Sequence, residues 1–489
     1  MRSVIPDVVP WDLPPPDARA AQDDYRAALA RLYAFSEAPR SAAQTRLGRE
    51  RKLNRMRALL GLLGSPQSQF ETILVAGTKG KGSTAAMLTS ILHAAGIAVG
   101  RYTQPHLYSY RERTWARGRY VEERELVAAL HAMEPALAEI ERAREELGPL
   151  TTFDVGTALS LLHFAREGSQ VAVVEVGVGG ANDATNALEP ILAVIGPVGL
   201  DHTDMLGDNL VAIARAKAGI LRRGVDAVVA CQEPTVSQTI ALVAEGAGAR
   251  VHQLDPGTVA SPRLSCAFDV SGPDGDLADL TIPLAGRFQR ENAALAIVAA
   301  QLLARSGLPV DEDAMRRGLA TVHWPGRFQT VIHEPLTILD GAHNPYSAHA
   351  LAETIRGAVS DRPITLVLEI SRDKDIVATV AQLVPLAQRV ILTQARHERS
   401  CPPQELAEIV HSTVPNMALQ IASSPGEALI QAWAVSPQRG ATIVAGSLFL
   451  VGDMLEWLLP QTGVGATLGV GRQEPEAGDT LPAWDSRDG

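Results

Sequence analysis

The segment that most constrains this chain is Gly77-Thr78-Lys79-Gly80-Lys81-Gly82-Ser83, set directly after an apolar run at residues 72–76 and directly before a helical pattern. A glycine-rich loop between a buried strand and a helix forms a phosphate cradle. The glycines let successive backbone N–H groups turn toward the phosphates, Lys81 brings a point charge to the β/γ oxygens, and the Ser83 hydroxyl reaches a magnesium ion. The first ligand implied is therefore a nucleoside triphosphate, contacted by Gly77, Thr78, Lys79, Gly80, Lys81, Gly82, Ser83 and Thr84. The loop is tighter than the common form, because an extra glycine, Gly82, separates Lys81 from Ser83. A bare turn between strand and helix is the plainer reading, and the lysine and hydroxyl together weigh against it.

Beyond the loop, short β-branched runs alternate with Ala/Leu/Arg-rich stretches, the pattern of parallel sheets covered by helices. Strands are expected at residues 72–76, 171–176, 191–195, 227–230, 337–339, 364–368, 390–393 and 442–445. Helices are expected at 25–34, 84–95, 122–148, 157–166, 209–221, 292–306 and 345–358. Residues 251–283, rich in Asp, Ser, Gly and Pro, read as an antiparallel excursion. A chain of 489 residues is long enough for two or three domains,, with a boundary expected between residues 306 and 335. A proline-rich leader and a Gly/Pro/Asp-rich end at 463–489 read as flexible.

The balance of 44 basic against 55 acidic residues gives a net charge of −11, which argues against nucleic acid or an anionic membrane as partner,. A local basic pocket for a phosphorylated ligand remains compatible with it. Cys231, Cys266 and Cys401 are widely spaced and odd in number, so neither a disulfide framework nor a thiolate metal site is indicated,. With no run of about 20 apolar residues and no signal-peptide hydrophobic region, a cytoplasmic chain is expected.

A second constellation is Glu175-Val176-Gly177-Val178-Gly179-Gly180, followed by Asp183-Ala184-Thr185-Asn186. A carboxylate at the carboxyl end of a buried parallel strand sits where an open α/β sheet binds its ligand, so Glu175 is a candidate magnesium ligand. Downstream lie Asp201-His202 and Lys217-Ala218-Gly219-Ile220. Taken alone, a loop histidine is more often solvated and a helix lysine more often on the surface.

Joined in one order with Trp324-Pro325-Gly326-Arg327, Asp340-Gly341-Ala342-His343-Asn344-Pro345 and Gly446-Ser447-Leu448, these motifs resemble the folylpolyglutamate synthase and dihydrofolate synthase branch of the Mur ligase superfamily. The resemblance runs from about residue 46 to 459. It implies an α/β fold, with a P-loop NTPase-like Mur ligase central domain at 21–322 and a smaller Rossmann-like α/β domain at 323–462 that contributes to glutamate ligation. Flexible ends would occupy 1–20 and 463–489. It further implies a monomeric ligase using ATP and Mg2+, in which a folate or dihydropteroate carboxylate is phosphorylated and then attacked by the amine of L-glutamate.

Residue by residue, the resemblance makes Lys81, His202 and Lys217 catalytic, with Lys217 carrying a carbamate. It places Asn292, Arg327 and Asp340 at ATP, and Asp340, His343 and Ser447 at glutamate. Thr152, Phe153 and Asp154 fall at the pterin, while Ser83, Gln104, Glu175 and His202 hold metal. Asn292 and Ser447 have a plainer reading as helix-capping or structural groups. The chain departs from the family pattern at Gln104, where serine is usual, at Lys79, where asparagine is common, and at Phe288, where histidine is common. It also lacks an arginine after Gly179-Gly180. A cell-wall Mur ligase would need a separate N-terminal domain, for which about 70 residues before the loop are too few. A non-catalytic nucleotide-binding module leaves the metal-type ligands and the second set of polar residues unexplained.

Overall fold

The structure, a computed structural model, describes residues 8–17, 23–35, 46–260, 267–359, 361–437 and 439–459. Among these residues, the first and larger sheet has eight strands: β1 Glu71–Ala76, β2 Val99–Tyr102, β3 Thr114–Ala116, β4 Arg119–Tyr120, β5 Val171–Glu175, β6 Pro190–Ile195, β7 Asp226–Val229 and β8 Arg250–Gln253. Their order is β4-β3-β2-β5-β1-β6-β7-β8. β1 is central because all but its first residue are buried, which suits a strand covered on both faces. It pairs in parallel with β5, Val75 beside Glu175, and with β6, Ala76 beside Ile195. That register brings the carboxyl ends of three strands to one edge. The helix Lys81–Ala94 leaves this edge and packs against the helices Arg287–Arg305 and Glu312–Ala320 on one face. The helices Arg46–Leu62, Glu123–Arg142 and Thr152–Arg166 cover the other face.

Residues 251–283 divide between two sheets. β8 closes the parallel sheet as a largely polar edge, while β9 Val259–Ala260, β10 Phe268–Val270 and β11 Leu277–Leu280 form the antiparallel sheet expected there. The second large sheet contains β12 Gln329–Ile332, β13 Leu336–Leu339, β14 Ile364–Leu368, β15 Arg389–Leu392, β16 Leu419–Ile421 and β17 Ala441–Ala445, in the order β12-β13-β17-β14-β15-β16. Only β12 runs antiparallel to its neighbour. β2 escapes the search for apolar runs because it reads Val99-Gly100-Arg101-Tyr102. Gly100 is required there by close packing, since a Cβ would lie 2.7 Å from the Phe164 ring.

The leader corrects the expectation of a flexible segment at 1–20. Residues 8–17 form a strap joining the two sheets: Val8 bridges Ile332, and Val9 N donates to Val331 O at 2.7 Å. Trp11 is buried with the second sheet and its Nε1 donates to Tyr108 Oη at 3.1 Å. Asp17 accepts from Tyr25 Oη and Ser109 Oγ, both at 2.7 Å, and from Tyr110 N at 2.8 Å. Prolines forbid a helix here but leave an extended strap with buried apolar side chains. Residues 1–7, 18–20 and the expected tail at 463–489 lie outside the described residues. No helix among the described residues is long and apolar enough to cross a membrane.

Candidate active site

The loop after β1 is shaped by what lies above it. Gly80 precedes the helix Lys81–Ala94 at φ 79°, and a Cβ there would sit 2.2 Å from Asn292 Oδ1. At Gly82 a Cβ would come within 2.7 Å of the Trp324 ring. Glycine is needed at these positions for close approach, and at Gly80 also for the left-handed backbone. The helix N-terminus then points its free N–H groups at the loop, a site suited to anions. Lys79 Nζ pairs with Asp201 Oδ2 at 2.7 Å, and Lys81 Nζ stands 3.9 Å from Glu175 Oε1. Thr78 Oγ1 donates to Gly199 O at 3.1 Å, tying the loop to the chain after β6. Thr84 is turned into the protein and almost wholly buried.

Two cavities meet at this loop. The larger, about 490 Å³, is lined by Ser83, Asn292 and Asp340 among others. The smaller, about 170 Å³, is lined by Gln104, Glu175, His202, Lys374, Arg399 and Ser447 among others. Lys79, Gly80, Arg327 and His343 line both. The larger is within the size range of small-molecule sites. The shared wall is where a group could pass from a ligand in one cavity to a ligand in the other.

Burial governs the charges. It raises the Glu175 carboxyl, against which Lys81 pulls. It also raises Asp201, but Lys79 more than offsets this and holds that carboxyl low. His202, with a left-handed backbone at φ 48°, is pushed down to about 4 by burial, with Lys81 and Lys374 adding to the effect. His343 falls to about 3 by burial. Both imidazoles are neutral near pH 7 and able to offer a nitrogen lone pair. Lys217 is 4% exposed and donates from Nζ to Gly77 O at 2.8 Å. Burial and the nearby Lys81 push it down to about 7, so a large share is the free amine near neutrality.

The motif after β5 explains how Lys217 reaches the loop. Asp183 accepts from Thr185 N and Val178 N, and Asn186 Nδ2 donates to Ala181 O and Gly219 O. Ala181 N in turn donates to Ala216 O at 2.7 Å. The glycine turn thus grips the end of the helix Leu210–Ala218 that carries Lys217.

The donors suit a magnesium ion. Gln104 Oε1 is buried without a hydrogen-bond partner, while Gln104 N donates to Glu175 Oε2 at 3.1 Å. An orphaned amide oxygen beside a buried carboxylate is a costly arrangement that a hard cation would relieve. Among the described residues no three His, Cys, Asp or Glu side chains converge on one point. Magnesium is commonly held by one or two carboxylates together with phosphate oxygens and waters, so a sparse protein set fits it.

Other assignments come out differently. Thr152 Oγ1 donates to Phe35 O at 3.1 Å, and Asp154 is fully buried in an ion pair with Arg55 at 2.7 Å. The structure gives Thr152 and Asp154, the residues expected at the pterin, bonds to the scaffold. Removing Asp154 strands a buried guanidinium. Asp154→Ala is expected to lower unfolding free energy by about 3 kcal/mol in a denaturant titration. Phe153 alone of the three approaches the glycine turn, its ring 2.9 Å from where a Gly177 Cβ would stand. Ser447 lines the smaller cavity but also caps the helix Leu448–Leu458 through Phe449 N at 3.0 Å. Asn292 Nδ2 donates to Gln289 Oε1 at 3.0 Å while its Oδ1 faces Gly80. Asp340 accepts from Phe328 N and Ala342 N, both at 2.8 Å, and burial raises its carboxyl.

Sequence reasoning passed over Lys374 and Arg399, which bring cations from the second sheet into the smaller cavity. Their positions beyond the carboxyl ends of β14 and β15 are the signal that would have found them.

A phosphate loop on one α/β sheet, facing polar residues from a second sheet across a cleft, defines an ATP-using ligase of the Mur type. Residues 75–300 match the Mur ligase middle domain family and residues 328–457 match the dihydrofolate synthetase C-terminal domain family. The chain is 32% identical over 419 residues to the folylpolyglutamate synthase of Lacticaseibacillus casei, covering 85% of this chain and 96% of that protein. Its fold is similar to E. coli FolC in complex with DHPP and ADP, at 32% identity and TM-score 0.77, over 92% of this chain and 100% of that one. A bifunctional folylpolyglutamate synthase/dihydrofolate synthase with Mn, AMPPNP and L-glutamate bound is similar at 30% identity and TM-score 0.75, over 91% and 100%. The chain belongs to the folylpolyglutamate synthase and dihydrofolate synthase family.

Proposed function

We propose that this chain is a monomeric, cytoplasmic ligase that activates the carboxylate of a folate or of dihydropteroate with ATP and joins it to L-glutamate, releasing ADP and phosphate. The observation that carries the reading is the pair of cavities sharing Lys79, Gly80, Arg327 and His343. ATP occupies the larger cavity, with its phosphates on the loop amides and Lys81 and its nucleoside toward Asn292 and Asp340. L-Glutamate occupies the smaller one, where Lys374 and Arg399 receive carboxylates and His343 and Ser447 complete the wall. The pterin enters beside Phe153 and the glycine turn.

The chemistry follows from the charges. A carboxylate is a poor electrophile, so one of its oxygens first bonds to the γ-phosphorus as the bond to ADP breaks. The amine of L-glutamate then bonds to the acyl carbon, phosphate leaves with the bonding pair, and the amine gives up a proton. Two anions must approach in the first step, and Lys79 and Arg327 at the shared wall, with Lys81 in the smaller cavity beside it, offset that repulsion,. Ser83, Glu175 and Gln104 would hold a magnesium ion, and His202 would help hold a second, supplying positive charge to the phosphates. A carbamate on Lys217 adds an anion among Lys79, Lys81 and His202, balancing an otherwise cationic corner. The two sheets close over the acyl phosphate and keep water away.

The test is product mass. With ATP, magnesium and L-glutamate, either dihydropteroate or tetrahydrofolate gains one glutamyl residue, and comparing them tells synthase from extender activity. ATP hydrolysis with neither product would move the chain to another Mur-type substrate, and nucleotide binding without turnover to a regulatory module.

A further inference from the structure

Behind the wall of the smaller cavity lies a carboxyl that the reaction above does not use. Glu369 follows β14 at the carboxyl edge of the second sheet and is fully buried. Ser400 Oγ donates to its Oε1 at 2.8 Å. Its Oε2 is buried without a partner in full hydrogen-bond geometry, although the Ser447 hydroxyl is near enough to interact with the carboxyl. A half-satisfied buried carboxyl costs stability, so what it faces matters.

It stands behind Ser447, in the wall of a cavity lined by several cations. Lys79, Lys81, Arg327, Lys374 and Arg399 all line the small cavity. They suit the two carboxylates of an amino-dicarboxylic acid and repel its ammonium. Ser447 has one proton and two lone pairs. One lone pair takes the Phe449 N–H at 3.0 Å. If the proton turns to Glu369, the second lone pair is left for the cavity, with a negative charge behind it. A hydroxyl held that way accepts from an amine and offers nothing to a carboxylate.

From this geometry we infer that Glu369, acting through Ser447, is a positioning residue that selects and orients the amino group of the incoming amino acid. The inference rests on the reading of the smaller cavity as the amino-acid site. Burial pushes Glu369 up to about 7, with Ser400 and Ser447 opposing and the facing Asp453 and Asp373 adding to the rise. Asp453 is itself paired with Arg396 at 2.9 Å, and Asp373 lies 3.5 Å from Arg399 and 3.4 Å from Lys374. Cys401, a further titratable neighbour, is pushed by burial to about 11 and stays a neutral thiol. Acidification through about 7 therefore discharges Glu369 and weakens its hold on the ammonium.

The test compares L-glutamate with glutarate, which keeps both carboxylates and lacks the amine. Glu369→Gln is expected to raise the KM for L-glutamate about tenfold at about pH 8, a loss typical of a hydrogen bond to a charged group. The variant's KM loses its rise between about pH 8 and 6, and the glutarate inhibition constant stays where it was. An unchanged KM, or equal weakening of glutarate, overturns the inference. Ser447→Ala separates the two levels of the argument. If it raises the KM for L-glutamate while Glu369→Gln does not, only the role of Glu369 falls. If neither variant changes that KM, the amino-acid reading of the cavity falls with it. Should Glu369→Gln fail to fold, the unmodified enzyme decides. Its KM for L-glutamate must rise on acidification while glutarate inhibition stays flat, and parallel profiles overturn the inference.

Discussion

Lys81→Ala is expected to lower kcat/KM for glutamate ligation about a thousandfold, equivalent to about 4 kcal/mol of transition-state stabilisation. Lys81 opens the helix at the phosphate loop, and its Nζ is 3.9 Å from Glu175 Oε1. Its loss removes a cation from the transferred phosphoryl and also leaves Glu175 buried beside that anion with less to offset it. Lys79→Ala is the internal comparison. Lys79 is already engaged by Asp201 at 2.7 Å, so part of its charge is spent before ATP arrives, and its loss costs closer to tenfold. Steady-state kinetics with product detection checks both, with thermal unfolding to show that each variant folds. A Lys81→Ala enzyme within tenfold of the parent would remove the loop from the chemistry.

Lys217→Ala carries the second large effect, again about a thousandfold in kcat. Lys217 is buried against Gly77 O with Lys81 nearby, and its ordinary charge would crowd a cationic corner. Its amine, lowered to about 7, is mostly ammonium below that pH and mostly free amine above it. Only the free amine bonds to carbon dioxide. The N–C bond forms as one C=O π pair moves to oxygen, one proton leaves, and the neutral amine becomes an anion; counted from the ammonium, two protons are lost. Activity of the parent enzyme therefore falls in carbon-dioxide-depleted buffer and returns with bicarbonate, most clearly above about pH 7. The Lys217→Ala enzyme ignores bicarbonate and regains part of its rate with a small carboxylate such as acetate, which can occupy the vacated space. A parent enzyme indifferent to carbon dioxide, with a variant indifferent to acetate, would leave Lys217 as a plain structural lysine.

The loop and the strands beside it could be read from the chain because β1, β5 and β6 are buried on both faces and write unbroken apolar runs. Edge and interrupted strands could not. β8 faces solvent and is largely polar, and β2 contains Gly100 and Arg101 because a phenylalanine ring and two tryptophans pack there. The helix Arg46–Leu62 was hidden by its charge, although it buries Met56, Leu59 and Leu60. The strap at residues 8–17 was missed because prolines read as disorder until the apolar residues between them find a groove.

Within the site, Gly77, Lys81 and Glu175 were visible because each sits in a motif whose spacing implies chemistry, whereas Lys217 was named only through the family resemblance. Thr152 and Asp154 carry scaffold bonds, which a sequence does not distinguish from a polar substrate contact. Arg55, 99 residues away, is what makes Asp154 structural. Glu369 and Lys374 share the loop after β14 and Arg399 sits in the loop after β15, two loops that only the fold of the second sheet brings together.

The central claim is that ATP activates a carboxylate for attack by L-glutamate. The most direct measurement supplies the pterin substrate with oxygen-18 in that carboxylate, together with ATP, magnesium and L-glutamate, and weighs both products. The account predicts a pterin lengthened by one glutamyl residue and inorganic phosphate carrying one oxygen-18 atom per turnover. Unlabelled phosphate, or labelled substrate returned without glutamate, would contradict it.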